Sequence, residues 1–361
     1  MSDLSCLDSA GQTPVSTATA VREADFEFRG TAAEYFRIWI VNVLLSVVTL
    51  GIYSAWAKVR TRQYFYRNTF VDGASFEYLA DPIKILKGRI IIAVALGVFA
   101  ASQYVSLALY FASAVGLLLL TPWVLVSANR FNARNSAYRN IPFAFIGSVG
   151  QAYGVQARAA LLHVFTLGLG APFAHYMLTD FVASNHHYGN ERFCFRKTGG
   201  DYFGVYFVAF VMSIGIVVVV AGVAGVLLTA AKPSSSDDFA QGGALVAVAI
   251  FYGLFILPTA HLKAGLANLL YDGLEVGPYT MRSSQKTHEV LKLYIGNLVA
   301  VACSLGLAVP WAKIRLAKYR ASRTGVTLVG DASVAALQGQ QVRGAYGDAA
   351  ADLGDFDLDL G

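Results

Sequence analysis

The sequence predicts an all-α polytopic membrane protein with internal repeats: about seven hydrophobic segments, some of them open to being re-entrant, and short β-hairpins on the cytoplasmic face. Three observations predict it. Charged residues make up only 14% of the 361-residue chain while hydrophobic residues make up 56%, against about a quarter charged in an ordinary soluble domain. Residues 90–129, 202–230 and 240–262 contain no Asp, Glu, Lys or Arg, and each exceeds the roughly 20 apolar residues that a spanning helix needs. Finally, one cassette recurs about five times along the chain.

The cassette is clearest as TLGIYSAWAKVRTRQYFYRNTFVDGASFEY, from Thr49 to Tyr78. Thr166, Leu167, Gly168, Phe173, Asn185 and Phe193 repeat Thr49, Leu50, Gly51, Trp56, Asn68 and Phe76 at one offset; Leu305, Gly306, Trp311, Lys313 and Arg315 do so at another. A further copy places Pro122, Trp123, Arg134, Asn135 and Phe143 on Ala55, Trp56, Arg67, Asn68 and Phe76, and a weaker one keeps Asn268, Asp272 and Gly273. Fixed-offset similarity of this kind marks repeat architectures. Gly51, Gly168 and Gly306 suit helix ends, with Pro172 and Pro310 following two of them; Trp56 and Trp311 suit the headgroup layer, and Lys58, Arg60, Arg67, Lys313 and Arg315 suit the cytoplasmic surface. Asp72-Gly73, Gly189-Asn190 and Asp272-Gly273, flanked by aromatic strands, read as hairpin turns.

Three regions follow: a disordered tail over 1–25, a repeat-built transmembrane domain over 26–330, and an acidic tail over 331–361. Basic residues crowd nearly every connection except those near 102–106 and 231–241, which reads those two as periplasmic and the rest as cytoplasmic. The segment near 155–174 has basic cassettes on both sides and, after Arg158, only about 15 apolar residues, roughly 22 Å of helix. Re-entry is favoured there, and crossing for the segments near 36–54 and 291–311.

FRGTAAEYF (28–36), NVLLSVVTLGIYSAWAKVRTRQYFYRNT (42–69), ILKGR (85–89), RFNARNSAYRNIPFAF (130–145), WAKIRLAKYR (311–320) and DFDLDLG (355–361) together resemble the YjgN family, bacterial inner-membrane proteins of unknown function. The resemblance implies an inner-membrane, multi-pass location and supplies no substrate or catalytic residue. It weakens after Thr166, where Gly170, His175 and Met177 stand in place of the Tyr, Lys and Arg of the first cassette.

Asn42, Arg158, His163 and Asn297 are the polar candidates within apolar segments, where ionisable and amide groups are costly. For Asn42 and Asn297, helix-to-helix bonding outranks substrate contact. Arg158 and His163 sit about 140° apart around a helix and form no obvious pair. Cys194, Cys303 and the histidines show no metal-ligand spacing, so no metal and no cofactor are expected. Nucleotide, hydrolase and calcium motifs are absent, which argues against an enzyme. The net charge of +5 sits beside apolar segments and points to anionic lipid headgroups as partners, with nucleic acid excluded. Function stays divided between a transport or channel-like assembly and a lipid-binding or envelope-organising protein, an intramembrane enzyme trailing both.

Overall fold

The structure, a computed structural model, describes residues 21–231, 236–277 and 279–329. Most of both assigned tails, and the middle of the turn near 231–241, lie outside the described residues. Within the first assigned tail, Val21–Asp25 forms strand β1, followed at once by β2 (Glu27–Phe28).

From there the chain runs helix, helix, strand, strand. The first such unit is α1 (Ala32–Val48), α2 (Ser54–Arg67), β3 (Thr69–Val71) and β4 (Ala74–Tyr78); the second is α3 (Pro82–Val105), α4 (Leu107–Arg134), β5 (Ser136–Tyr138) and β6 (Ile141–Phe145). The third is α5 (Val149–Phe165), α6 (Ala171–Ser184), β7 (His186–Tyr188) and β8 (Glu191–Phe195). The fourth is α7 (Gly199–Ala231), α8 (Ser236–Asp272), β9 (Leu274–Val276) and β10 (Tyr279–Ser283), and α9 (Thr287–Cys303), α10 (Val309–Ser322) and β11 (Thr324–Val329) complete the series.

The strands do not stay separate hairpins. All eleven join one antiparallel sheet in the order β1-β11-β10-β9-β8-β7-β6-β5-β4-β3-β2. Its two ends, β1 and β2, are adjacent in the chain with only Phe26 between them, so the sheet bends round into a nearly closed barrel. Each exit strand is tied to a neighbouring helix end by one backbone bond of the same kind. The amides of Arg29, Leu79, Ile146, Arg196 and Ser284 donate to the carbonyls of Asn68, Asn135, Asn185, Gly273 and Arg323 at 2.8–3.0 Å. The helices follow suit: each packs on the next, and α10 packs on α1.

This overturns the expected fold class of about seven spans with only short hairpins. Among the described residues, three helical stretches are long and apolar enough to cross a membrane: Pro82–Val105, Leu107–Arg134 and Gly199–Val226. Three of the anticipated segments instead resolve into tight helical pairs of 17 and 14 residues, α1–α2, α5–α6 and α9–α10. Hydropathy misjudged them because an apolar helix, its turn and the apolar start of the next helix read as one run. Asp272-Gly273 is likewise corrected: α8 ends at Asp272, and the β9–β10 turn contains Gly277 instead.

The turns of the short pairs explain their TLG and SLG sequences. In the first, the Gly51 amide donates to Ser46 O and the Leu50 amide to Val47 O, the two bonds of a Schellman ending. Leu50, Leu167 and Leu305 take left-handed backbone (φ 49°, 50° and 51°) and the glycines after them φ 90–94°. Thr49 Oγ1 donates to Leu45 O at 2.7 Å and accepts from the Tyr53 amide at 2.9 Å; Thr166 repeats both contacts, and Ser304 accepts likewise from the Ala308 amide while donating to Val301 O, three residues back. The turn thus satisfies most of its own backbone, as an apolar solvent demands. The three leucines are 94–95% exposed. Together with exposed Val48, Val94, Leu118, Val164 and Val218, they form a belt far larger than a soluble surface tolerates, so the protein is an integral membrane protein.

At Gly51 nothing lies within 4 Å of an added Cβ, but φ is +91°, so Gly51→Ala meets backbone strain alone and costs about 1 kcal/mol. Gly97→Ala, equally unobstructed inside α3 and without positive φ, leaves stability unchanged or raises it by up to about 1 kcal/mol. Denaturant unfolding of both variants in one detergent checks the opposite signs.

Candidate functional site

Strand alternation sets what faces the barrel axis, since side chains two apart share a face and directly paired residues share it too. The register pairs Phe76 with Tyr138, Phe143 with Tyr188, Phe193 with Val276 and Met281 with Val326. These side chains, with Phe26 and Val71, line a 340 Å³ cavity inside the barrel. Phe26 and Phe76 stack at 6.1 Å, Phe143 and Phe193 approach to 6.3 Å, and Tyr138 and Tyr188 back them at 4.8 and 5.1 Å.

Beneath the barrel lies a chamber of 840 Å³ walled by the ends of α2, α4, α6 and α8, with an adjoining 360 Å³ lobe on α10. Phe26, Phe76, Phe143 and Phe193 line both the chamber and the barrel cavity, so the four rings are the partition between them. No described residue of α1, α3, α5, α7 or α9 lines the chamber or its lobe: the even-numbered helices are inner, the odd-numbered outer.

At the barrel's outer mouth, the Asp72 carboxylate accepts from Arg22 Nη2 at 2.6 Å and Arg139 Nη2 at 2.7 Å, and Arg139 also donates to the Asp72 carbonyl at 2.9 Å. One carboxylate, its side chain 13% exposed, thereby joins β1 to the β3–β4 and β5–β6 turns. Tyr138 donates to Val71 O at 2.8 Å and Tyr188 to Tyr138 O at 3.2 Å. Burial pushes both phenols above their usual range, the charge of Arg139 opposing it only in part.

The signature residues fall into distinct places. Thr49, Gly51, Gly168 and Gly306 make the turns farthest from the sheet along their helix pairs. Pro172 and Pro310 occupy the first turns of α6 and α10, and Pro122 sits buried within α4 beside Trp123. Trp56 packs into a core with Ala55, Tyr78 and Phe131, whereas Trp311 is exposed beneath the Arg315 guanidinium at 5.2 Å; Arg60 lies 5.9 Å from the Tyr53 ring. Arg67 and Arg134 are the last residues of α2 and α4. Asn68, Asn135 and Asn185 cap α2, α4 and α6, each amide donating to the carbonyl four residues back at 2.7–2.8 Å. Gly73 supplies the positive φ of its hairpin turn.

Asn42 and Asn297 bridge their short pairs, Nδ2 to Ala57 O and to Ala312 O at 3.4 Å in both, while each Oδ1 is buried without a partner. Arg158 is exposed on α5 and bonds the Gly154 carbonyl at 3.1 Å; His163 is exposed too, away from the chamber. Among the described residues no three His, Cys, Asp or Glu gather as a metal site. Sequence reasoning singled out Phe76, Phe143 and Phe193 only as repeat positions and passed over Phe26 and Asn132 of the chamber lining. The recurring FEF, FEY, FAF and FCF at 26–28, 76–78, 143–145 and 193–195 were the available signal for the partition.

Asp72 has φ 45°, which Asn tolerates well, so Asp72→Asn removes charge with little backbone strain. It lowers unfolding free energy by about 1–2 kcal/mol, the loss shrinking in high salt. For the phenols, the folded state holds the proton while the unfolded chain ionises near pH 10. Their contribution is therefore intact below about pH 10 and falls as pH rises above it. The double variant Tyr138→Phe, Tyr188→Phe is less stable at neutral pH and flatter in that alkaline window when unfolding is followed against pH.

Comparison with known proteins matches these features to a group without assigned activity. The chain is 24% identical to the Inner membrane protein YjgN of Salmonella typhimurium over 349 residues, covering 83% of this chain and 87% of that one. It is 49% identical to the Inner membrane protein YjgN of Escherichia coli K12 over 53 residues, 15% of this chain and 13% of that one. No solved structure matches. The family model described as Bacterial protein of unknown function (DUF898) spans residues 23–353, and the chain belongs to that family.

Proposed function

We propose that the protein is a multi-pass inner-membrane protein of transport or channel-like type, made of five tandem copies of one unit whose pathway runs along the axis of the ring. The supporting observation is the partition: Phe26, Phe76, Phe143 and Phe193 border two coaxial compartments at once, the arrangement of an apolar constriction that gates by excluding water. In this reading the barrel faces the cytoplasm, because Arg67, Arg134, Arg192, Arg196 and Lys197 cluster on its side while the turns at Leu50, Ser106, Leu167 and Leu305 carry no charge. The α3–α4 and α7–α8 pairs cross the bilayer. The three short pairs enter from the cytoplasmic face and return to it, since 14 inner-helix residues reach only about 21 Å.

A lipid-binding reading draws on one observation, the predominantly apolar lining of the chamber, which suits an amphiphilic cargo better than a bare ion. Both readings place the ligand on the axis. The passage is tested in proteoliposomes loaded with carboxyfluorescein. Phe76→Ala with Phe143→Ala, retained only if it elutes as the parent does, widens the partition and raises dye release several-fold over the parent. Release no greater than from empty liposomes, for parent and variant alike, overturns the pathway.

A further inference from the structure

Counting back from the strands reveals a pattern that the linear cassette hides. The residue eleven before the first residue of β3, β5, β7, β9 and β11 is Lys58, Leu125, His175, Lys263 and Lys313. Four of the five inner helices thus carry a basic or titratable nitrogen at one height. His175 lines the chamber and Lys313 its lobe, and the charge of Lys263 is felt at His175. Seven residues further along α10, on the same helical face, Arg320 also lines the lobe.

Among the described residues that line the chamber and lobe there is no Asp or Glu. Among the described residues, Lys313 Nζ has only the Tyr35 hydroxyl at 3.5 Å and the Tyr35 ring at 6.0 Å, and the Arg320 side chain has no hydrogen-bond or ion-pair partner. Lys313 and Arg320 are exposed into this open lobe, and two cations side by side without counter-charge attract an anion. The remaining wall is predominantly apolar, with Phe76, Phe143, Leu178, Phe193 and Leu270 outweighing polar Asn132, Ser136 and Thr179. At 840 Å³ the space lies within the range of small-molecule sites, about 300–1,000 Å³.

We infer that the chamber binds a single-chain anionic amphiphile, its head on Lys313 and Arg320 and its acyl chain against the phenylalanine partition. The inference rests on the axial chamber being open to ligand, as the proposed pathway requires, but not on net flux. A carboxylate head from a fatty acid and a phosphate head from a lysolipid share the chemistry, and the assay separates them.

The test measures tritiated palmitate binding to the full chain in phosphatidylcholine nanodiscs, with competition by palmitate, lysophosphatidate, hexadecanol, acetate and inorganic phosphate. Palmitate or lysophosphatidate, whichever is the better head, displaces the label at least tenfold more strongly than hexadecanol. Lys313→Gln with Arg320→Gln weakens that binding tenfold or more and leaves hexadecanol unchanged, while Lys313→Arg with Arg320→Lys restores most of it and controls for folding. Equal competition by hexadecanol, competition by acetate or phosphate as strong as by the amphiphiles, or a charge-neutral variant within twofold of the parent each overturns the inference. Specific binding without dye release would sink the pathway and leave this site standing; dye release without binding would do the reverse.

Discussion

The pairing of the first described strand with the last is the constraint on which the rest of the architecture depends. β1 meets β11 from Val21↔Val329 to Asp25↔Gly325, while β2, one residue further on, pairs with β3. An eleven-stranded sheet built of two- to six-residue strands would otherwise expose two edges and twist open. Because Phe26 carries the chain from one pairing to the other, the two edge strands are consecutive in the chain and hold the ends of the sheet together. Arg282 clamps the join by donating to Glu23 at 2.5 Å and Asp25 at 2.8 Å. These exposed ion pairs contribute little energy individually; their effect is to fix which strand β1 chooses.

Closure of the sheet dictates the helices. Each exit strand hands its first free amide to the carbonyl at the end of the neighbouring inner helix, so a ring of strands enforces a ring of inner helices with the outer ones packed behind. The interior can then hold a chamber, because short strands around a closed circuit leave more cross-section than their side chains fill. Aromatic residues occupy what space they can, which is why the partition is made of four phenylalanines instead of smaller residues.

Part of this was legible in the sequence. Asp72-Gly73 and Gly189-Asn190 marked their turns correctly because a two-residue hairpin needs left-handed backbone that few residues supply. Asp272-Gly273 misled for the same reason: a glycine ending a helix and one turning a hairpin look alike. The joining of hairpins into one sheet left no local trace, since Val21–Asp25 reads as a polar segment with three charges. The short helical pairs were hidden by hydropathy, which counts apolar residues and is blind to direction; the Schellman leucine in TLG and SLG was the overlooked signal. The shared height of Lys58, His175, Lys263 and Lys313 was invisible until the strands supplied a common origin for counting, because Lys58 and Lys313 look like interfacial lysines when read as part of a basic run.

Pro122 shows how a long pair and a short pair can be one design. Fourteen residues before their strands stand Ala55, Pro122, Pro172, Ala260 and Pro310, all buried, so the ring is tight at this height and admits only compact side chains. In α6 and α10 the proline begins the helix, where its missing amide is harmless. In α4 the helix continues for fifteen residues before it, and the same proline deprives the Leu118 carbonyl of its donor. Thr121 Oγ1 supplies the replacement at 2.7 Å, as hydroxyls do where water cannot. The extension that makes α4 long enough to cross a bilayer is therefore continuous with the short form at the residue where the short form starts, and a single threonine hydroxyl makes the junction tolerable in an apolar solvent.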